Sequence, residues 1–215
     1  REEVHVLRGC YKGIMVGAGT ILADNPQLTA RTEGMIDPVR IIVDGHLSVP
    51  LKAKVFQEEG ENIILTTTAS DEGKRKALSD MGVDIIMTDG EEKGSVDLEA
   101  AMTGLALKGI DSILLEGGAT LAASAFDAGI VDKVRIYTAP MIIGGVSAPG
   151  LIGGEGAPTI PKAIRLRDIQ TQMTGKDLVI EAYVEKEAKE EKAESTRPTD
   201  VDLLKREEEP CSQGS

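Results

Sequence analysis

The feature that most restricts this chain is a repeated order of short apolar run followed by helix-patterned stretch, sustained across residues 13–128. Val39–Val43 is a compact β-branched run ending at Asp44-Gly45-His46, and residues 62–65 form another, ending in the three threonines 66–68. Residues 13–18, 83–87 and 112–115 supply three more. Between them, 71–81 and 97–107 carry helical patterns, the first closed by Gly82 as a C-cap and the second ended near Gly109. Runs that are apolar throughout need cover on both faces, so they read as buried parallel strands joined by crossover helices. The expected class is an α/β domain with a mostly parallel central sheet.

The order changes after a helix predicted over 119–128. Residues 133–139 read as a strand, 144–156 as a glycine-rich loop, and 163–172 and 177–184 as two strands joined at Thr174-Gly175-Lys176. Ile164, Leu166 and Ile169 alternate against Leu178, Ile180 and Ala182, which predicts an antiparallel hairpin closing the sheet edge. At the other end, residues 2–11 place Val4, Leu7 and Cys10 at helical spacing. The folded domain is expected to span 1–184. Residues 185–215 are rich in Glu, Lys, Asp, Ser and Pro and too poor in apolar side chains to offset ordering entropy, so an acidic solvated tail is expected. Val201, Leu203 and Leu204 within it read more simply as an incidental trio than as a docking patch.

Charge and composition narrow the function classes. A formal net charge of −12 opposes nucleic acid and anionic membrane surfaces as partners, because both reward Lys and Arg. Aromatic residues make up 2% of the chain and Trp is absent, which leaves no platform for base stacking. No apolar run reaches the ~20 residues of a membrane span, and the expectation is a soluble, cytoplasmic protein. His5 and His46 are the only histidines, and Cys10 and Cys211 sit near opposite ends, so neither a metal cluster nor a disulfide framework is indicated. His46 reads as a loop histidine.

Two glycine turns carry the chemical interest. In Ile113-Leu114-Leu115-Glu116-Gly117-Gly118-Ala119-Thr120-Leu121 an apolar run stops at a carboxylate and turns through two glycines into helix formers. Without a Cβ at Gly117 or Gly118 a ligand can reach the backbone, and the first N–H groups of the next helix face it with the positive end of the helix dipole. Such a turn suits a phosphate, although a strand-to-helix turn also takes glycine for geometry alone. Gly17-Ala18-Gly19-Thr20 reads as a second turn of the same kind, ahead of a short helix stopped before Pro26.

In order along the chain, the segments 16–29, 38–44, 115–121 and 129–140 resemble the pyrimidine reductases of riboflavin biosynthesis, and the wording around Asp44 and Gly117-Gly118 is most similar to the stand-alone archaeal type. The resemblance implies a dihydrofolate-reductase-like three-layer fold and an NADPH-dependent reduction, with NADH as the alternative cofactor. The substrate would be a ribosylaminopyrimidine 5′-phosphate, either the 2,5-diaminopyrimidinone or the uracil form, reduced at ribosyl C1′ to the ribitylamino product. It further implies cofactor contacts at Thr20, Asp24, Gly45, Gly117, Gly118, Ala119, Thr120 and Leu121. Arg8, Leu28, Arg31 and Glu116 would face the substrate, and the subunits would pair as a homodimer. Gly45 stands where many members carry a serine.

Glu116 is the titratable side chain expected to act in catalysis, either moving a proton or hydrogen-bonding ribose or pyrimidine. Arg8 and Arg31 suit a phosphate monoester, or else are surface ion pairs. A pterin reductase of the dihydrofolate-reductase type and a nucleotide-binding protein without turnover are the competing readings. The resemblance also calls for an upstream strand and a Ser-x-Asp-Gly-Lys-like loop before Arg1. Their absence is expected to expose Ile14, Val16 or Ile113, with Lys12 the first candidate for the active-site lysine within the chain.

Overall fold

The computed structural model describes residues 2–145, 148 and 150–186. Strand and helix alternate through α1 (Glu2–Cys10), β1 (Gly13–Gly17), α2 (Ala18–Asp24), β2 (Val39–Val43), β3 (Asn62–Thr66), α3 (Glu72–Asp80), β4 (Asp84–Met87), α4 (Leu98–Leu107), β5 (Ile113–Leu115) and α5 (Ala119–Asp127). The five strands form one all-parallel sheet in the order β4-β3-β2-β1-β5. Residues 1–185 form one compact unit. The segment expected to be an acidic tail falls, from 187 onward, outside the described residues.

Side chains of successive strand residues point to opposite faces, and here both faces are apolar. Ile14, Val16, Ile42 and Ile64 pack on one side with Ile21 of α2, Leu78 of α3 and the loop residues Leu47, Val49, Val55 and Phe56. Met15, Ile41, Ile63 and Leu65 pack on the other with Leu98, Ala101 and Leu105 of α4 and Leu121 and Ala125 of α5. The result is three layers with the sheet in the middle. Ile14 and Val16 are fully buried and Ile113 packs partly buried against the second cluster, which corrects the expectation that they would be exposed. The reason is topological, since β1 lies between β2 and β5 rather than at an edge.

Three further strands, β6 (Lys133–Thr138), β7 (Leu166–Thr174) and β8 (Asp177–Val184), form a separate antiparallel sheet in the order β6-β8-β7. The expected hairpin β7–β8 is present and turns through Gly175 at φ +63°. It pairs with β6. The first strand starts later than its pattern implies because Ile160–Lys162 form a 3-10 turn, and its register slips between Arg167 and Gln170 around Asp168, which has φ +53°. Glu181 on β8 sits between two cations of β6, Lys133 at 2.6 Å and Arg135 at 2.9 Å. The Lys133 hydrogen bond holds its carboxyl below the ordinary range against the opposing effect of burial.

One strand residue departs from the apolar pattern. Arg40 on β2 is only 1% exposed, and its Nη2 donates to the carbonyls of Glu59 at 2.7 Å and Glu58 at 3.2 Å. Burial lowers its pKa from the ordinary arginine value while Asp37 and Glu58 oppose the shift. Its Nε and Nη1 have no hydrogen-bond partner, and neither does Oδ1 of Asn62, its register neighbour on β3. No helix among the described residues is long and apolar enough to cross a membrane.

Candidate active site

Parallel strands send all their C-terminal ends to one edge of the sheet, and the loops leaving that edge are where a ligand crevice forms. The helix starts at this edge differ in one respect. α3 and α4 are capped by aspartates, with Asp71 Oδ1 accepting from the Lys74 N–H at 2.7 Å and Asp97 Oδ1 from the Ala100 N–H at 3.0 Å. α2 and α5 begin at Gly17 and Gly118 with no side-chain cap. The first N–H groups of a helix have no intrahelical acceptor, so an uncapped start leaves them to solvent or to a ligand. Between α2 and α5, over Val43 at the end of β2, lies a cleft of about 560 Å³.

Five residues expected to meet the cofactor, Thr20, Asp24, Gly118, Thr120 and Leu121, line this cleft. Gly117 and Gly118 have φ of +68° and +82°, a region that costs side-chain-bearing residues strain, so both positions need glycine. A Cβ on Gly118 would also lie 3.4 Å from Thr20 Oγ1, across the floor between the two helices. Gly117 and Ala119 belong to the same turn but are not part of the lining. Gly17, Ala18 and Gly19 of the second glycine turn are, as are Val43 and Ser124, which sequence reasoning did not single out as site residues. Ser124 lies one helical turn beyond Thr120, and that spacing was the available signal. The segment 18–20, read as a turn, is the first part of α2.

Gly45 lies elsewhere. A Cβ built on it would stand 1.9 Å from the Gly94 carbonyl oxygen, and its own carbonyl accepts from the hydroxyls of Thr66 and Thr67 at 3.2 and 2.8 Å. Gly94, with φ +81°, in turn lies against the His46 ring. The glycine at this position therefore serves close backbone packing, a demand invisible in the local pattern because its partner lies 49 positions away in the chain (94 minus 45). Asp44 is buried and closes the same loop, its carboxylate accepting from the N–H groups of Ser48 and Val49, both at 2.8 Å.

Of the residues expected to face substrate, Arg8 and Glu116 meet beside the Gly117-Gly118 turn, and Arg31 joins Arg8 at Thr29. Arg8, in the last turn of α1, donates from Nε and Nη2 to the two carboxylate oxygens of Glu116 at 2.9 and 2.7 Å, a two-pronged pair with side-chain exposures of 14% and 21%. Its Nη1 donates to the Thr29 carbonyl at 3.1 Å. Arg31 reaches the same residue from the other side, Nε to Thr29 Oγ1 at 3.3 Å, and its Nη2 donates to Gln27 Oε1 at 2.7 Å. Both arginines thus converge on Thr29, but their charges differ in availability. Arg8 is neutralised by Glu116, whereas Arg31 is exposed and has no ion pair among the described residues.

Leu28 is 2% exposed and points into the core, anchoring this loop instead of facing solvent. Leu28 and Arg31 hold φ of +61° and +55°, sparsely populated values for such side chains that persist only where surrounding contacts enforce them. Lys12 is remote from the cleft. It precedes β1, at the opposite end of the strand from Gly17, where it pairs with Asp111 at 2.8 Å. No group of three or more His, Cys, Asp or Glu among the described residues is placed to hold a metal ion.

A three-layer α/β domain with a glycine-walled, uncapped helix start at the carboxyl edge of its parallel strands belongs to the class of open-sheet α/β domains, whose ligand crevice lies at that edge. Residues 1–180 match the family model of the RibD C-terminal domain, and the chain belongs to that family. It is 38% identical over 185 residues to the riboflavin biosynthesis protein RibD of Actinobacillus pleuropneumoniae, covering 86% of this chain and 49% of the relative. The chain therefore spans about half the length of that relative. It is 35% identical over 186 residues to the 2,5-diamino-6-ribosylamino-4(3H)-pyrimidinone 5′-phosphate reductase of Methanothermobacter thermautotrophicus, covering 85% of this chain and 84% of the relative. Among solved structures, Acinetobacter baumannii RibD superposes with a TM-score of 0.71 at 23% identity, over 86% of this chain and 50% of that one. The fold is that of the RibD reductase domains, which is dihydrofolate-reductase-like.

The Gly45 packing yields a direct test. Gly45→Ser, the residue many members of the resembling family carry, is expected to destabilise this chain by roughly 1–3 kcal/mol through overpacking against Gly94. Thermal melting of the purified variant reads the effect, and a melting temperature equal to that of the parent would show that the 94 loop gives way freely.

Proposed function

We propose that the protein is an NADPH-dependent reductase that converts the ribosylamino group of 2,5-diamino-6-ribosylamino-4(3H)-pyrimidinone 5′-phosphate to ribitylamino, acting as a cytoplasmic homodimer in riboflavin biosynthesis. The observation that carries the reading is the uncapped, glycine-walled start of α5, linked through Glu116, Arg8 and Thr29 to the Arg31 guanidinium, which has no ion pair among the described residues. One element suits a pyrophosphate and the other a phosphate monoester. The name of the Methanothermobacter thermautotrophicus relative, matched over 84% of its length, supports the choice of pyrimidine.

The residues present fit a nicotinamide dinucleotide. The N–H groups at the start of α5 would hold its pyrophosphate, with Gly118 leaving room for the approach, while Thr20, Thr120 and Ser124 offer hydroxyl donors. Asp24 offers a carboxylate to ribose hydroxyls. When bound, this cofactor supplies the hydride, and the chain's own side chains orient and neutralise the substrate.

Arg31 would grip the 5′-phosphate, and it suits that task better than Arg8, whose fork is already filled by Glu116. Glu116, held rigid by Arg8 next to the Gly117-Gly118 turn, would accept a hydrogen bond from the opened ribose or the bridging nitrogen and move a proton there as C1′ is reduced. The free charge on Arg31 also favours a phosphorylated pyrimidine over a pterin, which has no phosphate to pair with it.

The homodimer draws support from the apolar surface of the second sheet and the segment leading to it. Met141, Ile142, Ile143, Leu151, Ile160 and Met173 are each more than 60% exposed. Large exposed apolar side chains in such number mark an interface more often than a solvated face. Sedimentation equilibrium should give a dimer at micromolar concentration; a monomer across that range removes this part of the proposal.

The reaction itself is tested by following nicotinamide oxidation with the purified chain, the ribosylamino substrate in both base forms, and both nicotinamide dinucleotides. Cofactor binding without turnover would support the non-catalytic alternative. Gly118→Val should weaken NADPH binding about tenfold or more, because the helix-dipole contribution at stake is up to ~2 kcal/mol. Unchanged affinity in a folded variant would displace the pyrophosphate from α5. The two arginines should separate kinetically. Arg31→Ala should raise KM for the ribotide about tenfold to a hundredfold at constant kcat, the worth of a charged hydrogen-bond partner. Arg8→Ala should lower kcat, because it leaves Glu116 unpartnered.

A further inference from the structure

Arg31 is a long side chain on an exposed loop, and such a side chain loses considerable rotamer freedom when it closes on an anion. Binding improves when that freedom has been removed beforehand. The structure holds the Arg31 guanidinium through contacts that run back to the sheet. Its Nη2 donates to Gln27 Oε1 at 2.7 Å, and the amide nitrogen of the same Gln27 donates to Glu58 Oε1. The backbone at Glu58 is secured in turn, since the carbonyls of Glu58 and Glu59 both accept from Nη2 of the buried Arg40 on β2. A second tie joins the same two segments, from the Lys54 N–H to Asn25 Oδ1 at 2.9 Å.

We propose that Gln27 and Glu58 are positioning residues for recognition of the substrate phosphate, fixing where Arg31 presents its guanidinium, with Arg40 anchoring them to the sheet; this rests on the assignment of the phosphate to Arg31. The chemistry of the link is specific. A primary amide has an acceptor at one end and two donors at the other, so Gln27 can face a cation and an anion at once. Turned over, it would aim its N–H groups at the guanidinium and its oxygen at the carboxylate, so the flanking charges determine its orientation.

The amide also keeps the two charges apart. A carboxylate placed directly on Arg31 would neutralise the fork and occupy it, as Glu116 does with Arg8. With Gln27 interposed, Glu58 polarises the amide and strengthens its bond to Arg31 while the outer face of the guanidinium stays open. The two arginines at Thr29 are thereby set to different tasks, one paired to hold a carboxylate and one, without a counter-charge among the described residues, to receive an anion.

The test uses steady-state kinetics and cofactor titration on single and double variants of the whole chain, with 2,5-diamino-6-ribosylamino-4(3H)-pyrimidinone 5′-phosphate as substrate. Gln27→Ala should raise KM about threefold to tenfold, the worth of one hydrogen bond, while kcat, NADPH affinity and melting temperature stay at parental values. Glu58→Ala should act in the same direction. Glu58→Gln, which keeps an oxygen for the Gln27 amide, should restore KM to within about twofold of the parent.

In an Arg31→Ala background the Gln27 substitution should have no further effect, because the two act through one contact. If Gln27→Ala raises KM by the same factor with Arg31 already removed, or leaves KM unchanged where Arg31→Ala raises it, the positioning role is overturned and the assignment of the phosphate to Arg31 survives. If Arg31→Ala alone leaves KM unchanged, that assignment fails, and the positioning role falls with it. Gln27 and Glu58 are partly exposed, which keeps these variants clear of the folding defect expected from truncating buried Arg40.

Discussion

The structure depends on the burial of β1, β2 and β3 between two apolar layers. Each of these strands is hydrogen-bonded to a parallel neighbour on both sides, and each sends alternate side chains into the two separate clusters. Parallel pairing forces the connections to be crossovers, and burial of both sheet faces forces those crossovers to be helices with an apolar side. A further consequence is polarity. All five strands end at the same edge, so Gly17, Val43 and the Glu116-Gly117-Gly118 turn meet there although they are spread over a hundred residues of chain. The cleft is a by-product of the sheet's direction before it is a property of any loop.

At that edge, capping distinguishes structure from site. Asp71 and Asp97 satisfy the first N–H groups of α3 and α4 and also place a negative charge at the helix start, which closes both ends to an anion. α5 lacks any such side chain and begins at a glycine whose φ of +82° strains side-chain-bearing residues. The backbone geometry that needs glycine for the turn also leaves those N–H groups without a side-chain acceptor, so turn geometry accounts for the glycines and the phosphate contact proposed for them would use the same backbone.

Charge placement decides how the neighbouring surface differs from the rest of an acidic chain. Around Thr29, one guanidinium is consumed by Glu116 and the other has no counter-ion among the described residues. The free one lies on a loop whose backbone adopts left-handed values at Asn25, Leu28 and Arg31, held down by Leu28 in the core and by the 54–60 segment at its flank. Local strain of this sort is sustained by packing elsewhere, and here the packing leads back to β2 through Arg40.

The sequence by itself determined the class of the domain, because hydrophobic runs of strand length and helical periodicity depend on neighbours within a few residues. The core strands, the helices that cover them, the β7–β8 hairpin and the glycine turn at Gly118 were all legible for that reason, as was the gathering of Thr20, Asp24, Thr120 and Leu121 through motif order. Tertiary structure alone decided matters that rest on contacts between distant segments. It put Ile14 and Val16 in the middle of the sheet, gave Gly45 to the packing of Gly94, and sent Lys12 to the far end of β1. It also paired Arg8 with Glu116 across 108 positions and linked Arg31 through Gln27 to Glu58, 31 positions on from Gln27. No local pattern encodes which of two arginines will meet a carboxylate. That is set by which loops the fold brings within 3 Å of each other, and in this protein it is what separates Arg8, paired with a carboxylate, from Arg31, which has no ion pair among the described residues.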